Sequence, residues 1–280
     1  MIIRTLRPAL ISFLLLVMGL TGNSQEASSE KVSVAFSDPA RPGLLKAGLI
    51  TGGISVTGYD GKDVVIEARA RQGRLSRRER SGEGTEGMTR LQNLSSGLTV
   101  EEENNVMTVH VGVMNREIDL NIQVPFKTSL KLSSVNDGDI KVQRVQGEIE
   151  VNNVNGGITL TNISGSAVAG TTNGDVVATF DAATPGKSMS FSSFNGKIDV
   201  TFPPEMKANV VMKSDEGDIY SDFDIRMDSA SRAPIVEDSR SKGGKYRIRL
   251  EKSLYGTING GGPEMHLKNF NGDIYIRKKK

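Results

Sequence analysis

From about residue 130 onward one pattern of apolar and polar positions keeps returning. An apolar residue (Leu132, Phe191, Leu267) stands three places before a second one (Val135, Phe194, Phe270). Then come Asn, a glycine-bearing turn and an Ile- or Val-led stretch such as "IKV", "ITL" or "IDV". Alternation of apolar and polar residues over such short runs predicts half-buried β-strands. Asn-Gly and Asp-Gly tolerate positive φ at little steric cost, which a tight corner between strands requires. The turns fall at Asn136 with Gly138, Asn155 with Gly157, Asn173–Gly174, Asn195–Gly196 and Asn271–Gly272. The first four Asn residues are 19, 18 and 22 positions apart, with weaker turns at Gln146–Gly147 and Ser164–Gly165. A fixed period near 20 with a turn at each half predicts a β-solenoid of two-sided rungs, stacked about 4.8 Å apart. The first four Asn residues are expected to stack at one corner with their amides hydrogen-bonded. The last copy, Asn271 to Ile276, is expected to close the stack.

The N-terminal half is less regular but still strand-like. "GGISVTGYDGKDVVIEARAR" reads as strand, turn, strand, and "NVMTVHVGVMNREIDLNIQVP" as two more alternating strands. Two polar, Gly-rich stretches near 72–97 and 226–245 read as surface insertions, the first with one helical turn at Met88, Leu91 and Leu94. The fold class predicted is therefore all-β, a single-domain solenoid over 48–280, preceded by a partly ordered segment 25–47.

The first residues change the picture. Arg4 and Arg7 precede an apolar run from Ala9 to Leu20, too short for a comfortable span, and small residues follow. This predicts a secretory signal peptide over 1–24, cut after Ser24. Export to the periplasm or outer cell surface follows, with no integral membrane segment after the signal is removed. Residues 1–24 hold two of the 35 basic residues and no acid, so the remainder carries 33 of each sign. That balance, with no Trp and few aromatics, argues against nucleic-acid binding. The chain has no Cys, so core and backbone ladders alone must hold an exported protein together.

The segments "YGTINGGGPEMHLKNFNGDIYIRK" and "IDLNIQVPFKTSLKLSSVNDGDIKV" resemble the bacterial adhesin-like β-helix repeat proteins, a family of largely unknown function. The resemblance spans roughly residues 48 to 278. It departs at the additional residue Asp137 and at the Arg-rich insertion. It implies an exported solenoid and carries over no catalytic residues.

Candidate chemistry is sparse. His110 and His266 sit at outward strand positions with no ligand partner nearby in sequence, so no zinc site is predicted. Asp139, Asp175, Asp218 and Asp273 precede the repeat Ile or Val, but Gly157 and Lys197 interrupt the column, which argues against calcium. No cofactor is expected. The acidic pairs that a polysaccharide hydrolase or lyase would need are limited to Glu101–Glu103 and Glu237–Asp238. Six arginines crowd one stretch: Arg69, Arg71, Arg74, Arg77, Arg78 and Arg80. Such a run can hold anionic glycans. Tyr220 and Tyr275 follow the repeat Ile and should face outwards. The expected function is a non-enzymatic structural or binding module of the bacterial cell envelope. Its partner is a glycan or protein, contacted through Arg74, Arg77, Arg78, Arg80, Tyr220 and Tyr275. The alternatives are a polysaccharide-acting enzyme and a self-assembling scaffold.

Overall fold

The computed structural model describes residues 29–71, 96–112, 117–228, 235–238, 246–249 and 253–280. Every regular element among them is a β-strand, so the chain is all-β. The first seven are β1 (Ser29–Ala35), β2 (Leu44–Thr51), β3 (Ile54–Tyr59), β4 (Asp63–Ala70), β5 (Leu98–Glu103), β6 (Val106–Val111) and β7 (Ile118–Pro125). The Asn-turn region follows as β8 (Ser129–Asn136), β9 (Ile140–Gln143), β10 (Gln146–Asn155), β11 (Ile158–Asn173), β12 (Val176–Ala183), β13 (Met189–Asn195) and β14 (Ile198–Phe202). The rest are β15 (Ala208–Glu216), β16 (Ile219–Ser221), β17 (Ile225–Met227), β18 (Ile235–Asp238), β19 (Tyr246–Arg249), β20 (Leu254–Ile258), β21 (Glu264–Asn271) and β22 (Ile274–Lys278).

Twenty strands form one continuous sheet, and β18 with β19 form a separate pair. The large sheet consists of two parallel ladders. The first runs β6, β2, β8, β10, the second half of β11, β13, β21, β15. The second runs β7, β3, β9, the first half of β11, β12, β14, β22, β16. Beyond β6, whose connection to β7 includes residues that are not described, each strand of the first ladder turns directly into its level-mate in the second. Antiparallel strands cover the ends: β5 on β6, β4 and β1 beyond β7, and β20 and β17 beyond β15.

The order of levels departs from the order of the sequence. β2–β3 sits between β6–β7 and β8–β9. The last copy does not close the stack as expected: β21–β22 is inserted between β13–β14 and β15–β16. The connections 126–128 and 203–207 must each skip one level to make room. Each level presents the same kinds of backbone donors and acceptors and similar apolar positions, so nothing local in the repeat ties a level to its sequence neighbour.

The core lies between the ladders and is lined by the inward residues of both. Phe180 and Phe202 of one ladder stack at 4.7 Å, and Phe191 of the other meets Phe180 edge-on at 6.2 Å. Leu132, Val151, Ile158, Leu160, Ile198, Leu267 and Ile274 are all fully buried beside them. Among the described residues β1 and the start of β2 lie ahead of the boundary expected at residue 48. The expected insertion 226–245 contains the strand Ile235–Asp238 and the end of β17. Most of the insertion 72–97, with its expected helical turn, lies outside the described residues.

Candidate binding face

The corner between the ladders is built from three columns, each explained by backbone needs. The Asn column spans five adjacent levels. Asn155 donates to Asn136 Oδ1 at 2.9 Å, Asn173 to Asn155 at 2.8 Å, Asn195 to Asn173 at 2.9 Å and Asn271 to Asn195 at 3.5 Å. Glycine follows because the corner brings backbones into contact. At Gly196, with φ of 143°, an added Cβ would lie 2.2 Å from the carbonyl oxygen of Gly174. Two residues before each Asn, and before Glu216 at the corresponding corner, a small polar side chain donates to a glycine carbonyl on the preceding level. Ser134 reaches Gly52, Asn153 Gly138, Thr171 Gly156, Ser193 Gly174, Asn269 Gly196 and Ser214 Gly272, all at 2.7–3.0 Å. This inner column was not apparent from the repeat, although polar residues at inward positions were the available signal.

The aspartates of the corner serve the same end. Asp139, Asp175 and Asp273 each accept the backbone N–H of the next level, from Gly157, Lys197 and Asp218, at 2.9 Å. Asp119 does so for Gly53 at 2.8 Å. The Asp218 N–H, then the Tyr275 hydroxyl, holds the Asp273 carboxyl below its ordinary range. The column is thus a set of backbone acceptors in which Gly157 and Lys197 are the donors. Among the described residues no group of three or more His, Asp or Glu is placed to hold a metal ion.

The residues just before Asn point out, because the alternation that buries Leu132 and Ser134 exposes Val135. Ile50, Val135, Val154, Phe194 and Phe270 are each between 39% and 53% exposed and form a ridge interrupted only by Thr172. Phe194 and Phe270 stack at 4.5 Å with rings 2° from parallel. Beside the ridge runs a column of small residues in register: Gly48, Ser133, Asn152, Gly170 and Ser192. The side chains of Ser133, Asn152 and Ser192 make no hydrogen bond among the described residues. Farther along the same face an open groove of about 1130 Å³ passes over Lys46, Lys131, Glu150 and Val168. Within it Lys131 pairs with Glu150 at 2.9 Å and Lys187 with Glu148 at 2.8 Å.

The second ladder carries the tyrosines. Tyr220 and Tyr275 lie on adjacent levels, because the last copy is inserted, and stack at 5.1 Å. Tyr220 is about half exposed, at 49%. Arg277 lies 4.9 Å over the Tyr275 ring and pairs with Asp199 at 2.7 Å. The Tyr275 phenol is pushed up by its hydrogen bond to Asp273, and that of Tyr220 by the charge of Asp218. One ring face of each tyrosine is therefore taken by the other.

Of the arginine cluster, only Arg69 and Arg71 lie among the described residues, and both are paired. Arg71 pairs with Asp119 at 2.7 Å, Arg69 with Glu67 at 2.8 Å, and Arg71 also donates to the Asp137 carbonyl. Arg74, Arg77, Arg78 and Arg80 lie outside the described residues. Glu102 accepts from the Ser37 hydroxyl and backbone and from Asn105 N–H, which ties it into an end of the stack. The side chains of Glu237 and Asp238 lie outside the described residues. His110 is exposed, and His266 is exposed beside Glu264 at 3.2 Å.

Comparison with known proteins places these features in a family. Residues 136–277, half of the chain, match the Toastrack DUF4097 family, and the chain belongs to it. No curated protein matches it. Among solved structures it is similar to a Clostridium sporogenes protein provisionally named for cell adhesion, with 14% identity and a TM-score of 0.43, covering 91% of this chain and 100% of that one. It is also similar to a Bacteroides fragilis protein provisionally named an adhesin, with 10% identity and a TM-score of 0.32, covering 91% and 98%. A Parabacteroides distasonis protein provisionally named for lipid binding has 9% identity and a TM-score of 0.26, covering 91% and 98%.

Proposed function

We propose that this Toastrack-family chain is an exported, non-enzymatic binding module of the bacterial cell envelope, its two ladders forming a β-solenoid of two-sided rungs. The observation that carries the reading is the exposed ridge Ile50–Val135–Val154–Phe194–Phe270. An exposed apolar strip bordered by polar residues, broken at a single level by Thr172, marks an interaction surface. The carboxylates nearest the corner are occupied as acceptors of backbone N–H groups, a structural duty that leaves little room for acid–base work. Export is supported by the basic, then apolar, then small-residue pattern of residues 1–24.

Protease shaving of intact cells carrying a tagged copy tests this. Loss of the tag before a lysis marker appears places the module on the cell surface. Protection until the outer barrier is opened places it in the periplasm. Recovery in the cytosol with residues 1–24 still attached contradicts the proposal.

A further inference from the structure

We infer that the outer face of the first ladder, from β2 to β21, is a track for a linear, uncharged polysaccharide lying along the stack, across the strands. The inference rests on the binding reading above and specifies its ligand.

Three columns run side by side on this face, and each offers a different contact at the same spacing. The ridge offers apolar surface: Ile50, Val135, Val154, Phe194 and Phe270. Phe194 is covered on one side by Phe270, and the neighbouring level on its other side carries only Thr172, so one ring face has no aromatic partner. On one flank stands the Asn ladder. Each internal Asn spends one N–H and one oxygen lone pair on its neighbours and keeps one N–H for a ligand. On the other flank Ser133, Asn152 and Ser192 hold unspent donors and acceptors, and glycines at positions 48 and 170 keep the surface low. The columns repeat at the strand spacing of about 4.8 Å. A chain of sugar rings presents this same mixture: C–H faces for the ridge and hydroxyls at regular intervals for the polar columns.

Charge and area narrow the occupant. The cross-level pairs Lys131–Glu150 and Lys187–Glu148 neutralise the groove beside the track, and Lys46 and Lys268, the latter in register with Ser192 on β21, make no ion pair among the described residues. A face so nearly balanced does not select a polyanion. The ridge is one residue wide, whereas a stable protein interface buries roughly 800 Å² per partner. A second copy of the chain is therefore the poorer fit.

The test is titration calorimetry of the chain lacking residues 1–24 with cellohexaose, chitohexaose and maltohexaose as neutral linear probes and hexagalacturonate as the charged one. The expected result is binding of at least one neutral probe, weakened about tenfold or more in Phe194→Ala/Phe270→Ala. Lys141→Ala, at an exposed position of the other ladder, should leave binding unchanged. If the alanine pair fails to fold, Ile50→Ser/Val135→Ser probes the same ridge. Binding of none of the neutral probes overturns the inference, as does tighter binding of hexagalacturonate or undiminished binding by the ridge variants. A concentration-dependent dimer abolished by the ridge variants would assign the ridge to a second copy instead. Each of these failures leaves the export reading standing, since shaving tests that separately.

Discussion

The levels laid down in sequence order, β8–β9 to β13–β14, and the last level, β21–β22, perform the same structural task with different fit. In the ordered levels every Asn-to-Asn bond is 2.8–2.9 Å. The inserted level joins the ladder through Asn271 at 3.5 Å. Its inward Asn269 donates to Gly196, yet its Oδ1 is buried without a partner, whereas Asn153 in an ordered level uses that oxygen to accept the Val154 N–H. The inserted level nevertheless supplies Phe270 and Tyr275, one member of each exposed ring pair. The comparison teaches that the surface most suited to binding is completed by the segment with the least local specification.

The largest effect expected from this comparison is on removal of the inserted level. Truncation after Ser253 removes Ile258, Met265, Leu267, Ile274 and Ile276, all at 0–1% exposure, and bares two ladders at once. At about 1.5–3 kcal/mol per buried side chain, the loss rivals the usual 5–15 kcal/mol stability of a domain. The truncated chain should lose its cooperative melt and aggregate. A monomer that retains the full-length melting temperature would show that the level is an appendage.

Next in size are the corner glycines. Gly196→Ala and Gly272→Ala push a Cβ to 2.2 and 2.4 Å from carbonyl oxygens on adjacent levels, and each should cost about 3 kcal/mol or more in urea unfolding. At Gly157 the nearest atom to an added Cβ is 3.5 Å away, so Gly157→Ala should cost under about 1 kcal/mol. Equal losses at the three sites would refute the contact-driven account of the corner.

The Asn ladder should divide along the same line. Asn155→Ala breaks two short bonds and should destabilise by about 1–2 kcal/mol, whereas Asn271→Ala breaks one long bond and should cost about half as much or less. Asn269→Ser should raise stability by up to about 1 kcal/mol, because Ser193 and Ser214 already make the same bond to a glycine carbonyl without leaving an amide oxygen stranded. A loss on that substitution would mean that the amide does further work.

The smallest effect is acid sensitivity. Asp273 is held below its ordinary value of 3.8 in the folded chain, first by the Asp218 N–H and then by the Tyr275 hydroxyl. A depressed folded pKa gives stability that is present above the unfolded value and lost as pH falls through the folded one. Asp273→Asn should therefore lower the melting temperature slightly at pH 7 and flatten its fall below about pH 4. An unaltered acid limb would remove Asp273 from the account.

These contrasts also mark what the sequence could reveal. The Asn-led turns at 136, 155, 173 and 195 were legible because sequence neighbours there are also spatial neighbours, so the period survives along the chain. The corner at Thr51–Gly52 carries no Asn and gave no such signal, and that at Glu216–Gly217 was legible only as a weakened copy, through Asp218 and Ile219. The order of levels was not legible, because each level offers its neighbours the same backbone donors and the same apolar positions. The ridge was half legible: Val135, Phe194 and Phe270 stood out as part of the repeat. That they point outward follows only once Leu132 and Ser134, Phe191 and Ser193, and Leu267 and Asn269 are fixed as inward pairs. Tyr220 and Tyr275 were legible as outward but not as partners, since they are 55 positions apart and meet only through the inserted level.

The insertion of β21–β22 is the claim on which both ring pairs and the ridge depend, and one cross-link tests it directly. The chain has no Cys, so Phe194→Cys/Phe270→Cys introduces a lone pair of thiols. In-register neighbours on adjacent strands fall within the 4.4–6.8 Å Cα separation that a disulfide spans. Mild oxidation should give an intramolecular disulfide in a monomer, seen as a mobility shift reversed by reductant. A chain that stays reduced, or that links only to a second copy, would contradict the insertion.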